Sequence, residues 1–247
     1  MKRTLWISLL AILAFTIILI VRLPVQWLAG FIPKNTSCQQ LGGTVWHGSC
    51  TGLVAQGVTV GNVTWQLQAS ALLSRKVAGH VDVAQGTYFV RGDVEAASNG
   101  TITAHNLTAA LPLDRTIIPQ LPPGLSGSAT GNLAFLRLEK GIVTALRGQI
   151  EAHDLVDVSD GERLALGNYS LTFPAADPAS EPVGQLKSLS GPLDVQGTLR
   201  LTREPGFVLE GLVAAGPGAS PKLVQQLGYL GAADAQGKRP FSVAATF

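Results

Sequence analysis

Four histidines are the side chains of this sequence best suited to acid–base or metal chemistry. They are His47, His80, His105 and His153. None stands in the His-x-His or His-Glu-x-x-His spacing that places two imidazoles on one metal ion. The densest group of metal-ligating residue types consists of Glu151, His153, Asp154 and Asp157. For this group the sequence favours a polar turn after residues 148–150, with a metal site as the alternative.

Motifs for nucleophilic catalysis and phosphate binding are also missing from the sequence. There is no Gly-x-Ser-x-Gly, and the stretch 127–131 (Gly-Ser-Ala-Thr-Gly) lacks the Lys-Ser/Thr continuation of a phosphate-binding loop. An acid–base or nucleophilic enzyme needs several polar groups held together in one pocket. We therefore expect a protein that is not an enzyme, with no catalytic residues, no metal and no cofactor.

An apolar segment near the N-terminus predicts where the rest of the chain works. Residues 5–21 contain no charged side chain, and roughly 17–25 apolar residues suffice for a helix to cross a bilayer. Lys2 and Arg3 make residues 1–4 a cytoplasmic tail by the positive-inside rule. The remainder, residues 33–247, is then an exported β-rich domain. The predicted membrane anchor includes Leu5, Trp6, Leu13, Phe15, Ile20 and Val21.

A cleaved signal peptide is the alternative interpretation of this segment. Such peptides end in a small-x-small cleavage site after an apolar region of about 7–15 residues. Here the best cleavage position, after Ala29, places the bulky Trp27 where a small residue is needed. The apolar character also continues to about residue 32, along a stretch that either extends the helix or lies on the membrane surface. We therefore favour an uncleaved anchor.

The two cysteines, Cys38 and Cys50, lie shortly after this segment. A pair of cysteines at this spacing in an exported domain predicts a structural disulfide. A redox or metal role is the alternative, but the pair lacks Cys-x-x-Cys spacing, and His47 is the only further ligand nearby. Without Lys2 and Arg3, 16 basic and 16 acidic residues remain, which argues against nucleic acid as a partner.

Apolar residues alternate with polar ones in most of the remaining chain, which predicts antiparallel strands with one dry face. The alternation changes phase at Gly61-Asn62 and again at Gly167-Asn168, and both positions predict β-bulges. One short helix is predicted within residues 219–230, with Ser220 as its cap and Pro221 in its first turn. Its apolar face is predicted to consist of Leu223, Val224 and Leu227. Residues 111–123, with four prolines, predict a loop or a crossover connection. Residues 174–182 predict a second loop, and the domain divides into two parts near 174–190.

Residues 43–48, Gly-Thr-Val-Trp-His-Gly, carry a resemblance to a known family. Together with a strand around Trp65 and a leucine pair at 72–73, they resemble the opening of protein N of the bacterial type II secretion system, which follows a single N-terminal anchor. The tail, with Leu227-Gly228 before residues 237–241, is also similar. The motif residues are Gly43, Thr44, Trp46, Gly48 and Trp65. Residues 111–123 carry no signature of that family, and the cysteine pair is not carried over as a family feature.

The resemblance implies a non-catalytic accessory component of the secretion apparatus, anchored in the inner membrane with its bulk in the periplasm. Its role would be assembly or stabilisation, and its partners would be other inner-membrane or periplasmic components. The family is similar in turn to the AsmA-like group, which implies an elongated, curved antiparallel sheet with one or two short helices.

Two alternatives stay open. The first is an AsmA-like protein that binds or transfers lipid in the periplasm, which an open apolar groove on the sheet would favour. A dry face filled by the protein's own elements would favour the scaffold instead. The second is a glycosylated eukaryotic membrane protein, since five asparagines stand in Asn-x-Ser/Thr.

Overall fold

A computed structural model describes residues 6, 10, 12, 15, 18, 19, 21–27, 35–55, 57–115, 117, 121–158, 161–175, 177, 180–204 and 206–246. The chain divides into two compact units, residues 1–85 and 86–247. Within the described ranges the protein is mainly β, with antiparallel strand pairs and few helices. The predicted fold class is confirmed to that extent. A division near 174–190 stays a prediction.

The first unit is a small antiparallel sheet of three long and two short strands. Its strands are β1 (Thr36–Ser37), β2 (Gln40–Gly43), β3 (His47–Ala55), β4 (Val58–Leu67) and β5 (Lys76–Gln85). Both short strands, β1 and β2, pair with β3, which in turn pairs with β4, and β4 pairs with β5. A 3-10 helix, Ala69–Ser74, connects β4 to β5.

The second unit is an antiparallel meander in which each strand pairs with the next along the chain. Its strands are β6 (Tyr88–Ala97), β7 (Thr101–Leu113), β8 (Leu125–Glu139), β9 (Ile142–Asp157), β10 (Leu164–Phe173), β11 (Val183–Ser190), β12 (Leu193–Leu201), β13 (Gly206–Ala215) and β14 (Arg239–Thr246). Some of these neighbours form tight hairpins, because residues 140–141 alone join β8 to β9 and residues 191–192 alone join β11 to β12.

Both predicted bulges are present, and each is double. On one side of Gly61, β4 carries one residue more than β3, and on the other side β3 carries one more than β4. Gly167 has the same arrangement, with the extra residue first in β10 and then in β9. Each pair of insertions compensates, so the strands stay paired beyond the bulge.

Two apolar clusters form the core of the second unit. One contains Leu133, Leu146 and Phe173, and Phe173 is 2% exposed. The other contains Val195 and Val213 of the sheet together with Leu227. Leu227 belongs to the C-terminal helix, Pro221–Gly228, which therefore covers part of the sheet.

The C-terminal helix was predicted with its cap, and both features are confirmed. The Ser220 Oγ accepts a hydrogen bond of 3.2 Å from the Leu223 N–H, and Pro221 occupies the first turn. Leu223 and Leu227 are buried, as expected. Val224 is 49% exposed, so its predicted place on the buried face was wrong. The reason is that one helical turn separates Leu223 from Leu227, and Val224 lies about 100° around the helix from Leu223.

Two loop predictions need correction. Residues 111–113 belong to β7, where Pro112 pairs with Ser128 of β8. The strand tolerates this proline because β6 pairs with β7 only as far as Ala110, so the missing N–H costs no ladder bond there. The group from Glu151 to Asp157 also lies in strand β9 and not in a polar turn.

The predicted anchor falls mostly outside the described residues, including Leu5, Leu13 and Ile20. Trp6, Phe15 and Val21 are described, with helical backbone and exposed side chains. Among the described residues, no helix has both the length and the apolar character needed to cross a membrane.

Candidate functional site

The motif at residues 43–48 forms the tight connection between β2 and β3. Gly43 has a φ of 86°, and a Cβ there would lie 2.3 Å from the His47 carbonyl oxygen. Thr44 closes the turn twice, because its N–H donates to the His47 carbonyl at 2.9 Å and its Oγ1 accepts from the His47 N–H at 3.1 Å. The geometry of this turn thus requires glycine at position 43, and the Thr44 hydroxyl supplies an acceptor that the turn uses.

Trp65 of β4 lies against this turn and explains why residue 48 is a glycine. A Cβ on Gly48 would lie 2.3 Å from Cζ2 of the Trp65 indole, so only glycine leaves room for the ring. The indole Nε1–H donates to the Val45 carbonyl at 2.9 Å. Trp46 is half-buried, and its carbonyl accepts from the Leu67 N–H at 2.7 Å. The motif residues therefore join at one end of the β3–β4 hairpin.

The same turn binds the chain that follows the apolar N-terminal segment. The Val45 N–H donates to the Leu23 carbonyl at 3.0 Å, and Pro24 forms a β-bridge with Thr44. Val25, next in sequence, is 1% exposed. We name residues 23–25 and 43–48, with Trp65, the tether junction. The sequence did not predict it, because an apolar run such as 23–32 carries no signal that separates a bridge from a helix.

The predicted disulfide between Cys38 and Cys50 is present, with an S–S distance of 2.07 Å. It joins the chain between β1 and β2 to β3, and Cys50 is 5% exposed. The bond therefore fixes the short outer strands of the first unit next to the tether junction.

The polar group on β9 is a hydrogen-bonded surface feature. His153 Nε2 lies 3.4 Å from a Glu151 carboxylate oxygen and 3.1 Å from the Thr130 Oγ1. Gln149 donates to Glu151 at 2.8 Å. Asp154 occupies the bulge, with a φ of 52°. In the described part of the chain, no three His, Cys, Asp or Glu side chains come together in a way that could hold a metal ion.

An open apolar groove of about 610 Å³ lies on one face of the second unit. Its wall comes from β7 to β14 and from the C-terminal helix and the turn after it, and only one lining side chain carries a polar group. The lining residues are Leu113, Ala129, Ile150, Ala152, Leu155, Tyr169, Leu171, Leu186, Leu193, Val195, Leu209, Val213, Leu227, Leu230, Phe241 and Val243.

That polar group, the Tyr169 hydroxyl, is already satisfied, because it donates to the Leu166 carbonyl at 2.6 Å. Burial of the side chain raises the pKa of Tyr169 to about 12. The bulge at Asp154 also maintains the apolar face. Ile150 and Ala152 line the groove before it, and Leu155 lines the groove after it, which strict alternation would not allow.

Comparison with known sequences identifies the family. The family described as "Type II secretion system (T2SS), protein N" matches residues 34–242. The chain belongs to this family. It is also 26% identical over 250 residues to the type II secretion system protein N of Aeromonas hydrophila, covering 97% of each chain. No solved structure matches the chain.

Membership of the protein N family confirms the resemblance stated from residues 43–48. It makes the chain a component of the type II secretion system, which works in protein transport together with other components of that system. All five residues of the predicted motif lie within the matched range. All five belong to the tether junction.

Proposed function

We propose that the protein is a non-catalytic accessory component of the type II secretion system that is anchored in the inner membrane and acts in the periplasm. Residues 5–21 form its single anchor, with the N-terminus in the cytoplasm. Its role is the assembly or stabilisation of the apparatus.

The observation that carries this proposal is the tether junction. A domain attached to its anchor by a free linker needs no contact between the two. Here the chain leaving the apolar segment hydrogen-bonds to the motif turn, and Val25 is buried beside it. Such an attachment fixes the first unit relative to the end of the anchor, as a scaffold requires.

The test disturbs the tether junction while leaving the membrane anchor unchanged. Val25→Asp places a charge in a site that is 1% exposed, and we expect it to loosen the attachment. In a strain that lacks the gene for this protein, we expect the wild-type chain to restore secretion of exoproteins. The Val25→Asp chain should restore it much less, although both chains are present in the membrane fraction in equal amounts. Trp27→Ala, at a residue that is 70% exposed, is the matched control and should restore secretion. Full restoration by Val25→Asp would contradict the proposal.

Fusions to a periplasmic reporter enzyme test the topology. Alkaline phosphatase joined after residue 57 should be active, and the same enzyme joined before residue 5 should be inactive. The opposite pattern would contradict the proposed orientation.

The groove favours a second candidate function, binding of a lipid acyl chain. Its volume lies within the range of about 300–1,000 Å³ that is usual for small-molecule sites. A hydrocarbon chain suits a wall whose single polar group is already bonded. Native mass spectrometry of the purified full chain should then show bound phospholipid. Leu230→Glu places a charge inside the groove and should abolish phospholipid binding. Leu189 is a similarly exposed leucine outside the groove, and Leu189→Glu should leave binding unchanged.

A further inference from the structure

Strand β14 has one edge that no other described strand pairs with. Along its other edge it pairs with β13 through eight consecutive residue pairs without a bulge. The residues after Arg239 carry no charge as far as Thr246. Exposed edges are normally protected by charged residues, bulges or very short strands. The outer strands of the first unit are short, with two and four residues, whereas β14 has eight.

Pro240 shows which main-chain groups point to this edge. A proline in an edge strand is accommodated where its N–H would point to solvent, because it has none to donate. Since N–H groups alternate between the two edges of a strand, the N–H groups of Ser242, Ala244 and Thr246 then also point away from β13. The edge therefore offers three donors and the matching carbonyls.

The face of β14 that lines the groove sets the chemistry of a partner strand. Phe241 and Val243 line the groove, and Ala245 follows on the same face by alternation. A strand added beside them must carry small or apolar residues on that face if the groove is to continue. The partner strand must also carry no charged residue opposite residues 240–246, which are themselves uncharged.

A second copy of β14 meets these requirements. We infer that two copies of this chain associate through their β14 edges, antiparallel across a two-fold axis perpendicular to the sheet. Such an axis keeps the apolar rows of both copies on one side, so that two grooves become one continuous apolar face. The register centred on Val243 pairs Ser242 with Ala244 of the other copy and Phe241 with Ala245. It allows about six main-chain hydrogen bonds and brings no like charges together.

The association is expected to be weak. The edge contributes only eight residues. A standard interface buries roughly 800 Å² on each partner and involves about 20–30 residues a side, so this interface is smaller. A covalent trap in cells that express the full chain is therefore the suitable measurement. The native cysteines are joined to each other, so an introduced thiol is the only free one. Val243→Cys places it at the proposed two-fold axis.

Oxidation of such cells should link Val243→Cys into a species of twice the chain mass. Leu189→Cys is the matched control, because its side chain is 52% exposed against 50% for Val243 and it lies on β11, which is paired on both sides. We expect at least a tenfold lower yield of dimer there. Adding Ala244→Pro, which removes one outward donor and leaves the β13 ladder intact, should lower the yield of Val243→Cys by a similar factor.

Ser242→Lys tests the same edge without a proline, in case Ala244→Pro accumulates poorly, and should lower the yield in the same way. Equal linking by Val243→Cys and Leu189→Cys would overturn the inference, as would no linking by either. Linking that persists in both edge variants would also overturn it. A linked species of another mass would assign the edge to a different protein and overturn it too.

Discussion

The Asn168 Oδ1 accepts a hydrogen bond of 2.6 Å from the main-chain N–H of Asp154, the residue at the bulge of the neighbouring strand β9. Asn62 has the same relationship with Gly52, at 3.1 Å. Both partners have positive φ angles, 52° for Asp154 and 66° for Gly52. A bulged residue leaves its N–H outside the ladder, so the asparagine supplies the acceptor that the neighbouring strand cannot. The same double bulge is thus built once in each unit.

Asn168→Ala should lower the free energy of unfolding by about 1 kcal/mol, because the Asp154 N–H loses its acceptor and the Ser190 Oγ loses the Asn168 amide as a donor at 2.8 Å. Denaturant unfolding of the purified chain measures the change. Asn132→Ala, at an exposed asparagine of β8, is the control and should change stability by less than about 0.5 kcal/mol. Equal effects of the two substitutions would show that the bulge does not depend on this side chain.

The positions of these bulges could be predicted from the sequence, but their doubling could not. Gly61-Asn62 and Gly167-Asn168 interrupt the alternation of apolar residues, and that interruption is visible in one strand. The compensating insertion lies in the partner strand, at Gly52 or at Asp154. Its position depends on which residues face each other after pairing, which the sequence of a single strand does not contain.

Gly48→Ala should destabilise the first unit by about 1–3 kcal/mol, since the new methyl group overlaps the Trp65 indole. Trp65→Leu removes the ring and should cost stability by itself. The two substitutions together should cost less than the sum of their separate effects, because the overlap disappears. Strict additivity in this double-mutant cycle would show that Gly48 and Trp65 are not in contact. Gly228→Ala, which meets no atom within 4 Å, is the control.

Replacing both cysteines, Cys38→Ser with Cys50→Ser, should lower the unfolding free energy by about 2–4 kcal/mol, because the unfolded chain gains freedom that the bond removes. Mass spectrometry under non-reducing conditions first establishes the bond in the wild type. Two free thiols there would contradict the structure. A loss of stability on adding reductant to the wild type, but not to the double variant, would attribute the effect to the bond.

The groove shows why a site of this kind escapes sequence reasoning. Its lining extends from Leu113 to Val243 over eight strands, and the alternation predicted only that each strand has an apolar side. The tether junction escaped for a different reason. The motif glycines were visible, but the bridge from Pro24 to Thr44 joins them to a segment that looks like continued helix.

Ser220→Ala should remove the cap of the C-terminal helix and cost about 1 kcal/mol, since the Leu223 N–H loses its acceptor. Because Leu227 and Leu230 line the groove near this helix, the substitution should also increase binding of a fluorescent apolar dye there. Ser220→Asp keeps an acceptor at the cap and should behave like the wild type in both measurements. A loss of stability as large with aspartate as with alanine would contradict the role of the cap.

Tyr169 predicts how stability responds to alkali. Its pKa is raised from 10.0 to about 12 by burial in the folded chain, so the phenol ionises more easily once the chain unfolds. Its contribution is therefore fully present below pH 10 and is lost as the pH rises through about 12. The denaturant midpoint of the wild type should fall over this range more steeply than that of Tyr169→Phe. Tyr88→Phe, at a tyrosine that is 38% exposed, should retain the slope of the wild type. If the denaturant midpoint of Tyr169→Phe falls with pH as steeply as that of the wild type, other groups cause the loss of stability in alkali. The Tyr169 hydroxyl would then not be held neutral by burial in the groove.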